Sequence, residues 1–435
     1  MPKIAIIGAG QAGLILAHAL LQRGHEVTVY SDRTADEWLH HSRPTGTAYL
    51  FAESIAIERE LGLDHWSATM HEGWGIHIDI ASPDGGAPMR ILARTPLPGG
   101  AVDQRMKFHR WMNDLPAAGG ELVIENVTVE RLEEIAASAD LTVIAAGKGE
   151  LGRIIPRDAE RSVYDKPTRH LAMAIVTNVA GWEEESGFTA VKYSQLGPLG
   201  EMFWVPFTHK TAGLSWSVIV EAQPGGPLDI FQGLTSGEEV VEAVRGIVRE
   251  FAPWDHPKIA GMRYVADDPL GWLVGRFPPT VRTAYGRLPS GALVMPVGDT
   301  AVTFDPIGGQ GGNHASRHAR FLAEEITARG ALPFDAAWME DVWESHWDRN
   351  ARDAYRFNNM FLEPPTPGLL ELLTASARDS WIADNLLAFN MLRPRNFFPW
   401  ILDQEETRRV IGTARRPASQ TASCASLSVA DGRSP

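Results

Sequence analysis

Three glycines near the start of the chain, Gly8, Gly10 and Gly13, constrain its fold more than any other feature. They follow the short apolar run Ile4–Ile7, which is typical of a buried parallel strand, and they precede a predicted helix. In a G-x-G-x-x-G turn the first glycine makes the tight turn. The second lets a pyrophosphate approach the backbone, and the third lets the helix pack on the strand. The pattern therefore predicts a βαβ unit that binds a dinucleotide.

A second strand ends at Tyr30, where such units carry an acidic residue for a ribose hydroxyl. The chain reads Ser31-Asp32-Arg33 at this place, so Asp32 is the candidate. Arg33 would suit a 2′-phosphate and would equally stack on an adenine. The motif alone leaves FAD and a nicotinamide cofactor both open.

Composition excludes several classes of function. The net charge of −14 argues against binding to nucleic acid or to an anionic membrane surface. No apolar run reaches the roughly 18 residues that a spanning helix needs. Cys424 is the only cysteine, which excludes disulfides, cysteine-based zinc sites and thiol catalysis within the fold. We expect a cytoplasmic protein, since the N-terminus lacks the features of a signal peptide.

Changes in pattern along the chain predict its organisation. Residues 1–160 and 285–330 alternate strands and helices and would form a discontinuous dinucleotide-binding domain. Residues 165–280 contain successive β-rich runs with turns between them, which predicts an inserted antiparallel sheet that binds the substrate. Residues 331–412 are mostly helical, and residues 413–435 are rich in Ala, Ser and Arg and are predicted to be disordered.

A second glycine-rich segment follows the strand that ends at Val297. Asp299 could accept a hydrogen bond from a ribityl hydroxyl of a flavin, and Pro306 would fix the loop. The glycines from 308 to 312 let the backbone approach a ligand, and a helix begins near Asn313. Amides at the start of that helix would stabilise negative charge on a flavin ring.

Together these motifs resemble those of a known family. The N-terminal G-x-G-x-x-G, the late Gly298-Asp299 and the D-P-x-x-G-Q-G-x-N loop resemble FAD-dependent aromatic monooxygenases of the para-hydroxybenzoate-hydroxylase fold. Ala101-Val102-Asp103 and Gly147-Lys148 resemble, more closely, the oxygenase subunits of two-component styrene and indole monooxygenases. The resemblance extends from residue 1 to about residue 410. It implies an α/β fold: a Rossmann-type, glutathione-reductase-like FAD-binding domain, the inserted sheet and a helical C-terminal region.

The resemblance also implies a reaction. Reduced FAD, supplied by a separate NADH-dependent flavin reductase, would react with O₂ to a C4a-hydroperoxide that epoxidises an aromatic alkene such as styrene, or oxygenates indole. Single-component hydroxylases usually carry an Asp-Gly pair where this chain reads Ala146-Gly147-Lys148. A single-component NAD(P)H-dependent aromatic hydroxylase and a non-catalytic binding protein on this fold remain the alternatives. A homodimer is left open.

The resemblance assigns residues to the site. Those expected to bind FAD are Gly8, Ala9, Gly10, Gln11, Ala12, Gly13, Ser31, Asp32, Arg33, Arg105, Val127, Ala146, Gly147, Asp299, Pro306, Gly309, Gly311, Gly312 and Asn313. Those expected to line the substrate pocket are Arg43, Thr47, Val205 and Phe304. No catalytic acid or base is expected, because attack by an alkene requires no deprotonation of the substrate. No metal ligand is expected either.

Overall fold

The computed structural model describes residues 2–147 and 149–414. The strands are β1 Lys3–Ile7, β2 Glu26–Ser31, β3 Glu72–Ile80, β4 Met89–Val102, β5 Glu121–Ile124, β6 Leu141–Ile144, β7 His170–Thr177, β8 Val191–Gln195, β9 Gly200–His209, β10 Gly213–Ala222, β11 Arg263–Tyr264, β12 Trp272–Gly275, β13 Thr280–Val281, β14 Gly286–Arg287, β15 Leu293–Pro296 and β16 Val302–Thr303. The helices are α1 Gln11–Gln22, α2 Ala35–His41, α3 Ala52–Glu60, α4 Gln104–Asp114, α5 Val129–Ser138, α6 Glu183–Ser186, α7 Gly237–Phe251, α8 Gln310–Arg329, α9 Ala336–His346, α10 Arg352–Met360, α11 Pro367–Ser376, α12 Ser380–Ile382, α13 Phe389–Leu392 and α14 Gln404–Ala414.

A six-stranded sheet in the order β14-β15-β6-β1-β2-β5 forms the first layer. All neighbouring strands are parallel except β14 and β15. Side chains alternate along β1: Ile4 and Ile6 pack with α1 and α8, while Ala5 and Ile7 pack with α5. Helices therefore cover both faces, which explains why β1 and β6 are continuous apolar runs. The predicted α/β architecture is confirmed.

An eight-stranded sheet forms the second layer, with β11, β7, β10, β9, β4, β3 and β8 in order and β12 paired with β7. Most neighbouring strands are antiparallel, but the β3–β8 and β4–β9 pairs are parallel. One face carries Trp204 and Val218 and packs on α7. The opposite face carries Phe203 and Val205 and is covered by the C-terminal helices.

The strands β3 and β4 differ from the expected division of the chain. They lie within residues 1–160, yet they pair with β8 and β9 in the second sheet and not with the dinucleotide-type sheet. The reason is register: Ala101 pairs with Phe207 and Ile76 pairs with Val191, contacts that no local pattern encodes. The boundary predicted at residue 160 therefore does not separate the two sheets.

Helix α2 was not predicted from the sequence. It begins with a capping box, in which the Thr34 side chain accepts from the Glu37 amide and the Glu37 side chain accepts from the Thr34 amide. Residues 413 and 414 end α14 and were expected to be disordered. The rest of the predicted disordered tail, 415–435, lies outside the described residues. Among the described residues, no helix has the length and apolar character that crossing a membrane demands.

Candidate active site

Four neighbouring parallel strands, β15, β6, β1 and β2, end at the same edge of the first sheet. The segments that leave this edge are 297–300, 145–147, 8–13 and 31–33. In open α/β sheets ligands bind outside the carboxyl ends of the strands. The sequence motifs predicted to bind a dinucleotide therefore converge in space, although they are up to about 290 residues apart.

The first glycine turn has the geometry its sequence predicts. Gly8 has φ +120°, and an added Cβ would lie 2.5 Å from the carbonyl oxygen of Ala145. A Cβ on Gly13 would lie 2.0 Å from the carbonyl oxygen of Gly8. An added Cβ on Gly10 would have no heavy atom within 4 Å. Gly8 and Gly13 thus allow close packing, and Gly10 leaves space for a ligand.

The second glycine-rich segment packs directly on the first. An added Cβ on Gly298 would lie 2.6 Å from the Cβ of Ala12. The side-chain amide of Gln11 donates to the hydroxyl of Ser316 in α8 at 3.2 Å. The Thr300 hydroxyl donates to the carbonyl of Gly147 at 3.2 Å. Three of the four segments are therefore fastened to one another by direct contacts.

Open space and free amides mark the rim of this site. Besides Gly10, the positions of Gly46, Gly147 and Gly311 would leave an added Cβ with no heavy atom within 4 Å. Neither α1 nor α8 has a side chain that caps its N-terminal amides, a feature shared with α3, whereas α2, α4, α5, α7 and α9 all have one. We call the space beside Gly10, Gly46, Gly147 and Gly311 the cradle. Uncapped helix N-termini beside it suit the phosphates and the ring of a dinucleotide, so the residues fit FAD.

The acidic position after β2 lies at the same edge. Half of the Asp32 side-chain surface is exposed, and its carboxylate accepts from Arg33 at 2.7 Å. Arg33 folds back over the ring of Trp38, with its Cζ 4.4 Å from the ring centroid, and also donates to Ser42. Asp32 can therefore reach a ribose, while Arg33 is already committed to protein contacts.

A loop at residues 43–51 joins the glycine-rich segments to the second sheet. Thr47 is buried, and its hydroxyl lies 2.7 Å from that of Ser217 in β10. Val205 is the residue opposite Ser217 on β9, and it shares an apolar cluster with Ile307 of the second glycine-rich segment. Thr47 thus contacts the strand pair that carries Val205, and the place of Thr47 and Val205 in a substrate pocket stays a prediction. Arg43 is exposed and stacks on Trp272, 4.0 Å from the ring centroid.

Two predicted site residues turn away from the cradle. Phe304 is 4 % exposed and packs with His314, Trp343 and Tyr355, between the second glycine-rich segment and the C-terminal helices. It therefore belongs to an apolar cluster separate from the one that contains Val205. Its expected place in the substrate pocket is corrected.

The prediction that Arg105 binds FAD is also corrected. Its guanidinium has no exposed surface and donates to both carboxylate oxygens of Asp103 and of Asp268, and to the carbonyl of Ser42. Every nitrogen of the guanidinium donates within the protein, which leaves no free donor for a phosphate. Arg105 therefore holds the start of α4 against the Ser42 loop.

Two further residues predicted to bind FAD, Asn313 and Val127, have side chains that contact other parts of the protein. Asn313 is fully buried; its side chain accepts from the Phe51 amide and donates to the carbonyls of Tyr49 and Gly309. It ties the 43–51 loop to the start of α8. Val127 is 8 % exposed and packs in the apolar cluster beside β1 and α5. The side chains of both residues are thus engaged with protein.

A buried carboxyl cluster behind the second glycine-rich segment was missed from the sequence. Glu201 and Glu221 lie opposite each other on β9 and β10 and have no exposed surface. Asp305 and Arg169, both buried, complete the cluster. A glutamate inside the apolar strands Gly200–His209 and Gly213–Ala222 was the available signal, since charged residues are almost never buried without a role.

A buried histidine cluster in α8 and α9 also contacts this segment, through Phe304 and Gly298. His314, His318 and His346 have ligand atoms within 4.8 Å of one another, a spacing that would suit a metal ion. However, Nδ1 of His318 accepts from the Gly298 amide at 3.3 Å, so in the neutral ring Nε2 carries the hydrogen. The rings of His318 and His346 also stack, with centroids 3.7 Å apart. These contacts favour neutral packed imidazoles, and the expected absence of metal ligands stays a prediction.

Comparison with known proteins identifies the family. Residues 147–258 match the substrate-binding-domain family of styrene monooxygenase A. The chain is 30 % identical over 367 residues to the styrene monooxygenase StyA of Pseudomonas fluorescens, covering 83 % of this chain and 85 % of that one. The chain belongs to the styrene monooxygenase StyA family. The resemblance and the predicted FAD-dependent monooxygenase chemistry are thereby confirmed at the level of the family.

Other relatives agree. The StyA of a second Pseudomonas species is 30 % identical over 354 residues, 80 % of this chain and 82 % of that one. Residues 3–56 also match the family of F420-dependent NADP oxidoreductases, which is a match to the βαβ segment alone.

Solved structures share the fold. The flavin-dependent brominase Bmp2 superposes with a TM-score of 0.65 at 13 % identity and covers 95 % of this chain and 98 % of its own. A flavoprotein from Cytophaga hutchinsonii gives 0.64 at 14 % identity and covers 95 % and 100 %.

Proposed function

We propose that this protein is the oxygenase component of a two-component system that epoxidises a small, apolar aromatic alkene such as styrene. It would receive reduced FAD from a separate NADH-dependent flavin reductase and would use O₂. The observation that carries the proposal is the cradle of open glycines between two uncapped helix N-termini, which adjoins an apolar sheet face at Thr47 and Val205.

The residues at the strand ends would hold the cofactor. The segment from Gly8 to Gly13 and the N-terminus of α1 would bind the pyrophosphate, and Asp32 would bind a ribose hydroxyl. Asp299 would accept from the ribityl chain. The amides from Gly309 to Gly312 would face the flavin ring and stabilise negative charge there.

Reduced FAD, when bound, supplies the activation of O₂ that transfers one oxygen atom to the substrate. The protein's own residues would orient the alkene and exclude water. Val205 and Ile307 would contact the aromatic ring of the substrate, and the Thr47–Ser217 hydroxyl pair would close the pocket without offering an acid or a base. Indole, with an electron-rich double bond in a ring of similar size, is the second substrate that this pocket chemistry suits.

The assay combines purified protein, FAD, NADH and styrene with and without a separate flavin reductase. We expect styrene oxide only when the reductase is present, and indigo when indole replaces styrene. Product formed with NAD(P)H alone would contradict the two-component proposal and favour a single-component hydroxylase. Failure to bind FAD in either redox state would favour a non-catalytic binding protein.

A matched pair of glycine variants tests the cradle. Gly311→Ala and Gly246→Ala each add a methyl group to a helix at a position with no heavy atom within 4 Å. We expect both variants to fold, but only Gly311→Ala to weaken binding of reduced FAD, by about tenfold or more, since its methyl occupies ligand space. Equal affinities measured by anaerobic fluorescence titration would place the flavin elsewhere.

We also propose a cytoplasmic site of action, since the chain has a single cysteine.

A further inference from the structure

The buried carboxyl cluster has an imbalance of charge. Glu201, Glu221 and Asp305 bring three carboxyl groups together. Among the described residues, Arg169 is the only cation close enough to stabilise a negative charge on Glu221. Tyr193 of β8 faces both glutamates as well and adds no charge. Three buried carboxylates cannot all stay ionised beside one guanidinium, so at least one of them holds a proton.

The hydrogen bonds identify which carboxyl group is neutral. Arg169 donates to Glu201 at 2.6 Å, which favours the ionised form of Glu201. Asp305 accepts from the Thr168 hydroxyl at 2.7 Å and from the Ile307 amide at 3.2 Å, which favours its ionised form. Neither oxygen of Glu221 accepts from a donor of the described residues. Asp305 lies in the same cluster, because it accepts from Thr168 and the next residue, Arg169, donates to Glu201. Its carboxyl group is the neighbour that acts most strongly on Glu221. Two neighbouring buried carboxyl groups can share a hydrogen bond only when one of them carries a proton.

Asp305 is a structural element of the flavin-type motif. Its carboxylate caps the turn Pro306–Gly308 through the Ile307 amide, and Gly309 is then the N-cap residue of α8. The carbonyl of Asp305 accepts from the side chain of Asn358 in α10. The orientation of this one residue therefore sets the turn that leads into the uncapped N-terminus of α8.

We propose that Glu221 is a positioning residue of the flavin site, which stays protonated and donates a hydrogen bond to Asp305, and thereby fixes the turn that aims the N-terminus of α8 at the cofactor. The inference rests on the proposed function, since it assigns α8 to the flavin. Loss of the proton would set two carboxylates against each other in a buried place, and would displace the turn.

The electrostatic surroundings agree with this assignment. Burial, followed by Asp305 and Glu201, raises the pKa of Glu221 well above its usual range. Burial also raises the pKa of Glu201 to about 7 in spite of Arg169. The folded-state values exceed the unfolded ones, so the stability that these groups contribute is complete in acid and is lost as the pH rises through the folded-state pKa.

Two substitutions separate the proton from the shape of the side chain. Glu221→Gln keeps a neutral donor that cannot titrate, and Glu221→Leu keeps the volume without a donor. We expect the affinity of the wild type for reduced FAD to decline at alkaline pH. We expect Glu221→Gln to bind like the wild type at neutral pH and to show no such decline. We expect Glu221→Leu to bind about tenfold or more weakly at every pH, because a hydrogen bond to a charged group is lost.

The proton itself is measured on the protein without FAD. The infrared carbonyl band of a buried protonated carboxyl group should disappear in Glu221→Gln at a pH above about 7, where Glu201 is ionised, and the alkaline decline in melting temperature should become shallower. An unchanged infrared band, an unchanged pH dependence of affinity, or a folded Glu221→Leu with wild-type affinity would each overturn the inference. A wild-type protein that binds no FAD at any pH would instead refute the proposed function, while the infrared band would still report on Glu221.

Discussion

Two buried clusters of ionisable groups adjoin the second glycine-rich segment, and they differ in how they avoid buried, unpaired charge. His314, His318 and His346 are bases packed among aromatic rings, and burial lowers the pKa of all three. The carboxyl cluster Glu201, Glu221 and Asp305 consists of acids, and burial raises their pKa values. The histidines become neutral by giving up protons, so they need no counter-charge. The acids keep one partner, Arg169, because not every carboxyl group can be neutral at once.

The contrast teaches that burial alone does not set the cost of an ionisable cluster. An imidazole close to its usual pKa at neutral pH loses its charge cheaply, while a carboxylate must either find a cation or take up a proton. The two clusters should therefore differ in their response to substitution and to pH.

The largest expected effect is the removal of Arg169, the only cation that the described residues contribute to the carboxyl cluster. Arg169→Met keeps the apolar stem but leaves Glu201 and Asp305 without a counter-charge. We expect a loss of about 3–5 kcal/mol in the free energy of unfolding, measured by urea denaturation at neutral pH. Arg131→Met, which breaks the surface pairs with Glu125 and Glu134, is the matched control and should change the midpoint far less. Equal losses would show that the buried cluster has no special dependence on its cation.

The next effect concerns acid. The folded-state pKa of His318 is lowered to about 3, well below its unfolded value. The stability contributed by the three histidines is therefore complete above their unfolded pKa, about 6.5, and is lost as the pH falls below it. Each histidine adds up to about 1.4 kcal/mol per pH unit to this loss. His314→Phe removes one such proton and preserves the ring contact with Phe304.

We therefore expect His314→Phe to be less stable than the wild type at neutral pH, since it loses the bond to His346, but to lose stability more gradually in acid. Urea denaturation at a series of acidic pH values measures both terms. A slope against pH equal to that of the wild type would mean that His314 is already protonated, or accessible to solvent, in the folded protein.

The smallest expected effect is the loss in the free energy of unfolding when one hydrogen bond is removed, either to the carboxylate of Asp305 or to the neutral ring of His346. Thr168→Val removes a hydrogen bond to Asp305, and Asn350→Ala removes the long contact, 3.5 Å, with Nδ1 of His346. If Asp305 is ionised, the first substitution should cost about 1.5–3 kcal/mol, and the second should cost well under 1 kcal/mol. Similar losses in urea denaturation would indicate that Asp305, and not Glu221, carries the proton.

The parts of the site that could be predicted from sequence are those encoded by local backbone geometry. Gly8, Gly10 and Gly13 have the predicted packing and space, because the spacing of glycines in a strand–turn–helix leaves few alternatives. Phe304 and Arg105 were misplaced because the direction of a side chain depends on which element packs against it. The spacing of a motif does not contain that information.

Other features depended on pairing between distant strands. Glu221 lies opposite Glu201 only because β9 and β10 pair in one register, and a slip of one residue would place the two carboxyl groups on opposite faces of the sheet. Likewise, β3 and β4 read as strands in the sequence, but nothing near residues 72–102 indicates that their partners lie about a hundred residues later.

That late pairing has a consequence for biosynthesis. When the first 160 residues have left the ribosome, β3 and β4 are exposed but their partners β8 and β9 have not yet emerged. The β3–β4 hairpin then exposes two unpaired strand edges, and exposed edges of this kind favour association between chains. Nascent chains should thus depend on chaperones until Phe207 emerges, and a gene fragment cut at residue 160 should yield inclusion bodies rather than an independently folding nucleotide-binding domain.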